Sequence, residues 1–334
     1  MYILGLESSC DETSAAVVEM GDGVRRICSN IIASQIETHR LYGGVVPEIA
    51  SRAHIEAVSK ITYEALEVAG ITLKDVGLVA VTSHPGLIGA LLVGVNFGKS
   101  LAFANKIPLV GVNHIKGHIA ANYLAHDELE PPFTSLVVSG GHTSIYEVRS
   151  YTDLLEIGST RDDAAGEAFD KIGRVIGLPY PAGAAMDKLA SEGRVGSVVL
   201  PSPALVGDTL GFSFSGIKTA ALNYINTAKM SGEEINPADL AASYTEKIVS
   251  GIVKKTEMAL EKQGSRKLVL SGGVAANSHL RRALSVMCEK RGAELYYPPV
   301  SLCGDNAAMI AAAGYYKFLD GKIADTSLNA SALD

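Results

Sequence analysis

The chain has 334 residues, 47% hydrophobic and 19% charged, enough apolar material for one large core or two ordinary ones without disulfide staples. Its 29 Lys and Arg against 36 Asp and Glu leave a net charge of −7, which argues against non-specific nucleic-acid binding because phosphate contacts need clustered cations. Four cysteines (Cys10, Cys28, Cys288, Cys303) have no short pairing pattern, no basic region precedes a long apolar stretch, and runs such as Leu87 to Val95 fall short of the about 18 residues a membrane span needs, so a soluble, cytoplasmic chain is expected.

In chain order, strand-like and helix-like segments alternate: strands at Ile3 to Leu6, Ala15 to Val18 and Arg26 to Ala33, a helix from Pro47 to Ala69, a strand from Leu78 to Val81 and a glycine-spaced helix from Gly89 to Ala104. Pro47 suits a first helical turn. The apolar run Leu109 to Val112 reads as a buried strand leading into His114-Ile115-Lys116-Gly117-His118. This order implies an α/β domain. Asp127-Glu128-Leu129-Glu130-Pro131-Pro132 then reads as a boundary, giving an N-terminal domain over residues 1–126 and a C-terminal domain over 133–334. Beyond it the pattern restarts, because Ser135 to Ser139, the loop Gly140 to Thr143 and the strand Ser144 to Val148 mirror Ile3 to Leu6, the loop Glu7 to Thr13 and the strand Ser14 to Val18. Two such units suggest a duplicated domain. A helix from Pro237 to Lys262, a strand Lys267 to Leu270, a helix from about Ala275 and a last helix from about Asn306 to Leu319 complete the second half.

Imidazoles at i and i+4 share one helix face, so His114 and His118 with a carboxylate from elsewhere would form an open His/His/Asp set for iron, zinc or manganese. The turn Cys303-Gly304-Asp305-Asn306 stands far downstream, and a solvated pair of helix histidines is the competing reading. A zincin peptidase needs Glu where Ile115 stands. The loops Ser139 to Thr143 and Ser271 to Ala275 each follow a strand, and their paired glycines can cradle phosphate, which favours a nucleotide cleft between domains over two ordinary turns. Glu7, Asp11 and Glu12 crowd acidic groups into the first loop, where they can hold a metal-bound phosphate or supply a general base, or simply be solvated. Those same charges suppress the thiolate of Cys10, so it is not read as a nucleophile. Asp162 to Lys171 starts like a helix, with Asp170 a little over two turns in, open to a ribose or phosphate contact or to plain surface charge.

Taken together, Glu7-Ser8-Ser9-Cys10-Asp11-Glu12-Thr13, Gly43 to Glu48, Asn113 to His118, Val138 to Thr143, Asp162 to Lys171, Phe212 to Thr219 and Gly272 to Asn277 resemble, over nearly the full chain, the TsaD family of tRNA threonylcarbamoyl transferases. The resemblance implies the actin-like fold shared with sugar kinases and Hsp70, duplicated around a nucleotide cleft. It implies His114, His118 and Asp305 as ligands of one divalent metal, Fe(2+) or Zn(2+). It implies that Val137, Val138, Ser139, Gly140, Gly141, Asp170, Gly183, Asp187 and Asn277 hold an adenine nucleotide, threonylcarbamoyl-AMP or ATP, with Asp11 and Glu12 near the reacting centre. The expected partners are tRNA and, in a bacterium, TsaB-like and TsaE-like proteins, with no membrane. Two departures stand out: His84-Pro85-Gly86 where the family reads Gly-Pro-Gly, and Pro181-Ala182-Gly183-Ala184 where it often reads Pro-Gly-Gly-Pro. His84 is expected at the surface. Two rivals keep the fold and change the function: an ATP-dependent kinase, which needs no histidine pair, and a non-catalytic scaffold paralogue.

Overall fold

Strand β1 (Tyr2–Glu7) is apolar at nearly every position because both of its faces are covered, which is how a central strand of an α/β sheet reads. It pairs antiparallel with β2 (Glu12–Gly21), which pairs antiparallel with β3 (Val24–Ser34). On its other side it pairs parallel with β4 (Val76–His84), which pairs parallel with β5 (Leu109–Asn113), giving the order β3-β2-β1-β4-β5. The structure, a computed structural model, describes residues 1–201 and 209–333. Elements are numbered in chain order through both units of the fold.

Helices cover this first sheet. After the short α1 (Ile36–Arg40), α2 (Pro47–Ala69) begins at Pro47, whose missing N–H costs nothing in a first turn, and ends at Gly70 in the left-handed conformation with φ +69°. Its Ile61, Ala65 and Leu66 join Leu4, Leu6, Val79 and Val81 in one core. Helix α3 (Ile88–Asn105) has the length and apolar composition of a membrane span, yet it buries Ala90, Leu91, Gly94, Val95 and Gly98 inside this unit. Helices α4 (His114–Ala125) and α10 (Ala307–Leu319) pack on each other, and α10 also lies against β1, β2 and β4. That approach is close: a Cβ at Gly5 would lie 2.2 Å from the Ala307 carbonyl oxygen, and one at Gly314 would lie 2.4 Å from the Ala80 Cβ.

The second unit has its own sheet, ordered β10-β9-β6-β7-β8, from β6 (Phe133–Val138), β7 (Thr143–Val148), β8 (Leu154–Ser159), β9 (Lys267–Ser271) and β10 (Glu294–Tyr296). Here β6 pairs antiparallel with β7 and parallel with β9, as β1 does with β2 and β4. Each unit thus repeats one strand order, and the duplication expected from the two strand-loop-strand segments is a duplication of topology. Its helices are α5 (Ala165–Val175), α6 (Gly183–Glu192), α7 (Ser215–Ser231), α8 (Pro237–Gln263) and α9 (Ser278–Arg291).

The compact units do not follow a single cut in the chain. The first comprises Met1–Pro131, Arg149–Leu154 and Pro298–Asp334, the second Pro132–Val148 and Leu155–Tyr297. The break near Pro131 falls in the expected acidic, proline-bearing loop. The tail does not stay in the second half as the 133–334 boundary assumed, because the alanine-rich face of α10 is buried against the first sheet. Arg149–Leu154 rejoins the first unit through Tyr151, which stacks on Tyr316 at 3.9 Å.

Candidate functional site

The Asn113 side chain accepts a hydrogen bond from the Lys116 N–H at 2.9 Å, capping α4 at the residue where β5 ends. That cap fixes His114 and His118 on one face of the first two turns, both buried, with rings edge to face at 4.7 Å. Asp305 reaches them from the loop before α10, whose next residue, Asn306, caps that helix by accepting from the Met309 N–H at 3.1 Å. Asp305 Oδ1 lies 3.5 Å from His114 Nε2 and 3.2 Å from His118 Nε2, and one ligand atom from each of the three residues lies within 4.8 Å of the others.

Three features of this cluster fit a divalent ion. Two ligands held about 2.0–2.1 Å from a tetrahedral metal stand roughly 3.3 Å apart, close to both separations to Asp305. Both ring nitrogens of His118 are buried without a hydrogen-bond partner; Nε2 is near enough to Asp305 but not aligned with it. An imidazole left so costs stability unless something else satisfies it. The third feature is Glu7. Its Oε2 lies 2.9 Å from His114 Nδ1 and accepts from the Thr82 hydroxyl at 2.7 Å, while Oε1 accepts from the Ser9 N–H. A carboxylate on Nδ1 holds the proton there and turns the Nε2 lone pair outward. Burial disfavours charge on Glu7, but His114 and the hydrogen bonds hold its carboxyl below the usual range. Burial likewise opposes the His114 imidazolium, and Asp305 and Glu7 outweigh it, raising the group to about 9. Glu7 was legible in the sequence only as one member of an acidic loop; its place behind His114 needed the fold.

Asp11 and Glu12 stand at the start of β2. Burial, then the charges of Asp305 and Asp11, push the Glu12 carboxyl up to about 10. Burial and the same anions push the Cys10 thiol far above its ordinary value, so Cys10 is inert, as its acidic neighbours imply. The loop is braced by His54, buried on α2, whose Nδ1 meets the Thr13 hydroxyl at 2.7 Å and whose Nε2 meets the Cys10 carbonyl at 3.0 Å. His84 is half-buried rather than a surface residue, with Nδ1 2.8 Å from the Ser83 hydroxyl.

In the second unit, Ser139, Gly140 and Gly141 follow β6. Val137 and Val138 are fully buried in that strand, which pairs with β7 on one edge and, through Val137, with β9 on the other. A Cβ added at Gly140, Gly141, Gly183 or Gly273 meets nothing within 4 Å. Gly272 differs, with φ +91° and a notional Cβ 2.4 Å from the Val138 carbonyl oxygen, so it is the glycine that the turn itself requires. Asp170 sits in the second turn of α5, which starts at Ala165, later than Asp162 suggested; its Oδ1 accepts from the Ala182 N–H at 2.7 Å. The acidic residues before α5 serve elsewhere: Asp162 accepts from the Phe214 N–H at 2.7 Å at the start of α7, and Asp163 pairs with Lys171 at 2.8 Å and with Lys218. Asp187 accepts from the Ser278 N–H at 3.1 Å and contacts His279 Nδ1 at 2.8 Å, while Asn277 accepts from the Leu280 N–H at 2.8 Å. Both therefore finish the N-terminus of α9.

Comparison with known proteins identifies the family. Residues 26–312 match the family described as tRNA N6-adenosine threonylcarbamoyltransferase. Proteins of that name from Clostridium beijerinckii and Clostridium perfringens are each 52% identical over 328 residues, spanning 98% of this chain and 96% of the relative. Among solved structures, full-length HypF in its phosphate- and nucleotide-bound form superposes with a TM-score of 0.62 at 16% identity, over 100% of this chain and 47% of HypF. The ROK hexokinase from Thermus thermophilus superposes at 0.51 with 15% identity, over 96% of this chain and 100% of the hexokinase. At those identities the two structures speak to the fold alone, which is the actin-like, sugar-kinase architecture. The matches to the curated relatives span nearly the whole of both chains, and this chain belongs to the tRNA N6-adenosine threonylcarbamoyltransferase family.

Proposed function

We propose that this protein transfers a threonylcarbamoyl group from its mixed anhydride with AMP to the N6 amine of adenosine 37 in tRNAs that read codons beginning with A. The observation that carries the reading is the buried His114, His118 and Asp305 cluster in a chain 52% identical to transferases of that name. The new bond joins N6 to the carbamoyl carbon, the anhydride C–O bond breaks, AMP leaves with the electron pair, and N6 gives up a proton.

The N6 lone pair is delocalised into the purine, so the residues must orient the amine and take that proton. Asp11 is the proposed base, a role worth about 10²- to 10⁴-fold in rate. Glu12, raised to about 10 in the chain alone, is protonated at neutral pH and supports the site as a neighbour rather than as its base. His114, His118 and Asp305 are proposed to hold one divalent ion, Fe(2+) or Zn(2+), both of which accept imidazole and carboxylate. Such an ion supplies Lewis-acid polarisation and a template for substrate oxygens. In the second unit, the Val137 to Gly141 segment and Gly183 are proposed to bind the adenylate through backbone, with Asp170, Asp187 and Asn277 holding the surrounding loops and reaching its nucleoside part. TsaB-like and TsaE-like partners, and a cytoplasmic setting, complete the proposal.

The test is direct. The purified protein, with its partners, threonine, bicarbonate, ATP and unmodified tRNA, is expected to yield threonylcarbamoyladenosine by mass spectrometry. Consumption of ATP with a phosphorylated small molecule and no modified nucleoside would instead establish the kinase reading.

A further inference from the structure

A second concave site lies in the first unit, walled by α4, the end of β5, the end of α10 and Tyr151. The cavity is about 170 Å³, several times the roughly 30 Å³ share of one water, and so admits a tetrahedral oxyanion. Its wall carries Lys116, Lys317 and Lys322, together with the Asn113, Tyr151 and Thr152 side chains, and no carboxylate. In a chain of net charge −7 this is a local reversal of sign.

The three ammonium groups differ in how they are held. Lys317 is half-buried and donates to the Gly111 carbonyl at 2.6 Å, and its pKa is lowered by burial and then by the nearby Lys116 and Lys322. Lys322 is exposed and pairs with Asp320 at 3.1 Å, which also accepts from the Thr152 hydroxyl. The ammonium of Lys116, two residues after His114 on α4, has no hydrogen-bond or ion-pair partner among the described residues. Asp320 answers Lys322 alone, and the ammonium groups of Lys116 and Lys317, with no carboxylate in the cavity wall, are unfavourable neighbours in a partly desolvated site unless a ligand supplies the charge.

We propose that this cavity binds a phosphate-class oxyanion between Lys116, Lys317 and Lys322. The group comes either as a mobile phosphate or phosphate monoester, or as a backbone phosphate of bound RNA. It is separate from the His114, His118 and Asp305 cluster and stands whether or not the transferase reading does.

Calorimetric titration of the metal-free full chain with inorganic phosphate, at constant ionic strength in chloride, is expected to show one site. Lys116→Ala is expected to weaken it at least tenfold, as is Lys317→Met. Because the Lys116 side chain makes no bond that the fold uses and alanine keeps the backbone N–H that caps α4, its variant stays informative if Lys317→Met fails to fold. For the RNA source, tRNA binding is measured against salt. A lost backbone contact lowers the slope of log affinity on log salt by about 0.7–0.9 in Lys116→Ala, and a mobile anion leaves the slope unchanged while phosphate affinity falls. If Lys116→Ala keeps both the phosphate affinity and the tRNA salt slope of the parent, or the parent chain binds phosphate no better than chloride and its slope is also unmoved, the proposal is overturned.

Discussion

Replacing Glu7 by Gln changes no volume and removes one charge, yet it is expected to disable the proposed metal site through the tautomer of His114. In the parent chain Glu7 is acceptor-only and serves the Ser9 N–H, the Thr82 hydroxyl and His114 Nδ1. A glutamine offers one acceptor oxygen. If that oxygen stays on the Ser9 N–H, the amide NH2 faces Thr82, whose hydroxyl can turn to accept, and His114, which can accept at Nδ1 only by moving its proton to Nε2. A protonated Nε2 is no ligand. If the amide flips, the Ser9 N–H is left facing a donor. The flipped amide thus opposes a buried donor with a donor, which costs about 1–3 kcal/mol and favours the unflipped amide with its shifted tautomer. Loss of the partner that orients a ligating histidine typically weakens metal affinity about 10- to 100-fold, or about 1.4–2.7 kcal/mol. The measurement is a zinc titration of metal-free protein against a chelator of known affinity, beside melting curves in excess chelator. Glu7→Gln is expected to lose zinc affinity by at least about tenfold while melting within several degrees of the parent. Zinc affinity within about twofold of the parent would refute the tautomer argument and show that the flipped amide, or the Ser9 hydroxyl 3.1 Å from His114 Nδ1, keeps the proton on Nδ1.

Asp305→Asn keeps a carbonyl ligand and removes charge, so zinc affinity is expected to fall while the fold persists; elemental analysis after gel filtration reads it out. Asp11→Ala is expected to lower the transfer rate by about 10²-fold or more with metal content intact, and a variant that instead loses metal would reassign Asp11 as a ligand. Around Asp163, burial opposes ionisation but the hydrogen bonds from Lys171 and Lys218 win, lowering its pKa below the ordinary carboxylate value. A carboxyl lowered on folding contributes stability above its unfolded pKa of roughly 4 and loses it as pH falls through the folded value, so the melting temperature of Asp163→Asn should depend less on pH than the parent's below about pH 5. Equal pH dependence would show the pair to be energetically silent. Gly273→Val, at a position with open space around it, is expected to weaken binding of a non-hydrolysable adenylate analogue far more than it lowers the melting temperature. Binding equal to the parent's would make that loop an ordinary turn.

Much of the fold is legible because the sequence signals it locally. Pro47 and Gly70 bracket α2 chemically, the buried strands β1, β4 and β5 are short apolar runs, and the strand-loop-strand repeat forecasts the shared strand order of the two sheets. What sequence spacing does not carry is where α10 goes. Its alanine-rich face suits any tight packing partner, and only the close approaches at Gly5 and Gly314 reveal that the partner is the first sheet. Asp305 travels with α10, so a cut that leaves the tail in the second half separates the third ligand from the histidines. The positive φ of the second glycine loop is likewise at Gly272, not at Gly273, because it is Gly272 that passes over the Val138 carbonyl.

The proposed sites of the two units differ in how far residue type can announce them. The histidine pair and its carboxylates act through side chains, and a spacing of four on one helix is enough to raise the question. The second unit is arranged the other way round. Asp187 and Asn277, the side chains one would enlist for a nucleoside, already accept from the first N–H groups of α9, and Asp170 already accepts from Ala182. The surfaces left open are the backbones of Gly140, Gly141, Gly183 and Gly273, where no side chain intervenes. An anhydride of AMP met there is met by peptide N–H groups, which every residue but proline owns. Recognition of that kind is written in loop shape. The side chains that look like contacts are then the ones that hold the shape, and substituting them should disturb adenylate binding by way of α9 and the Ala182 turn as much as by direct touch.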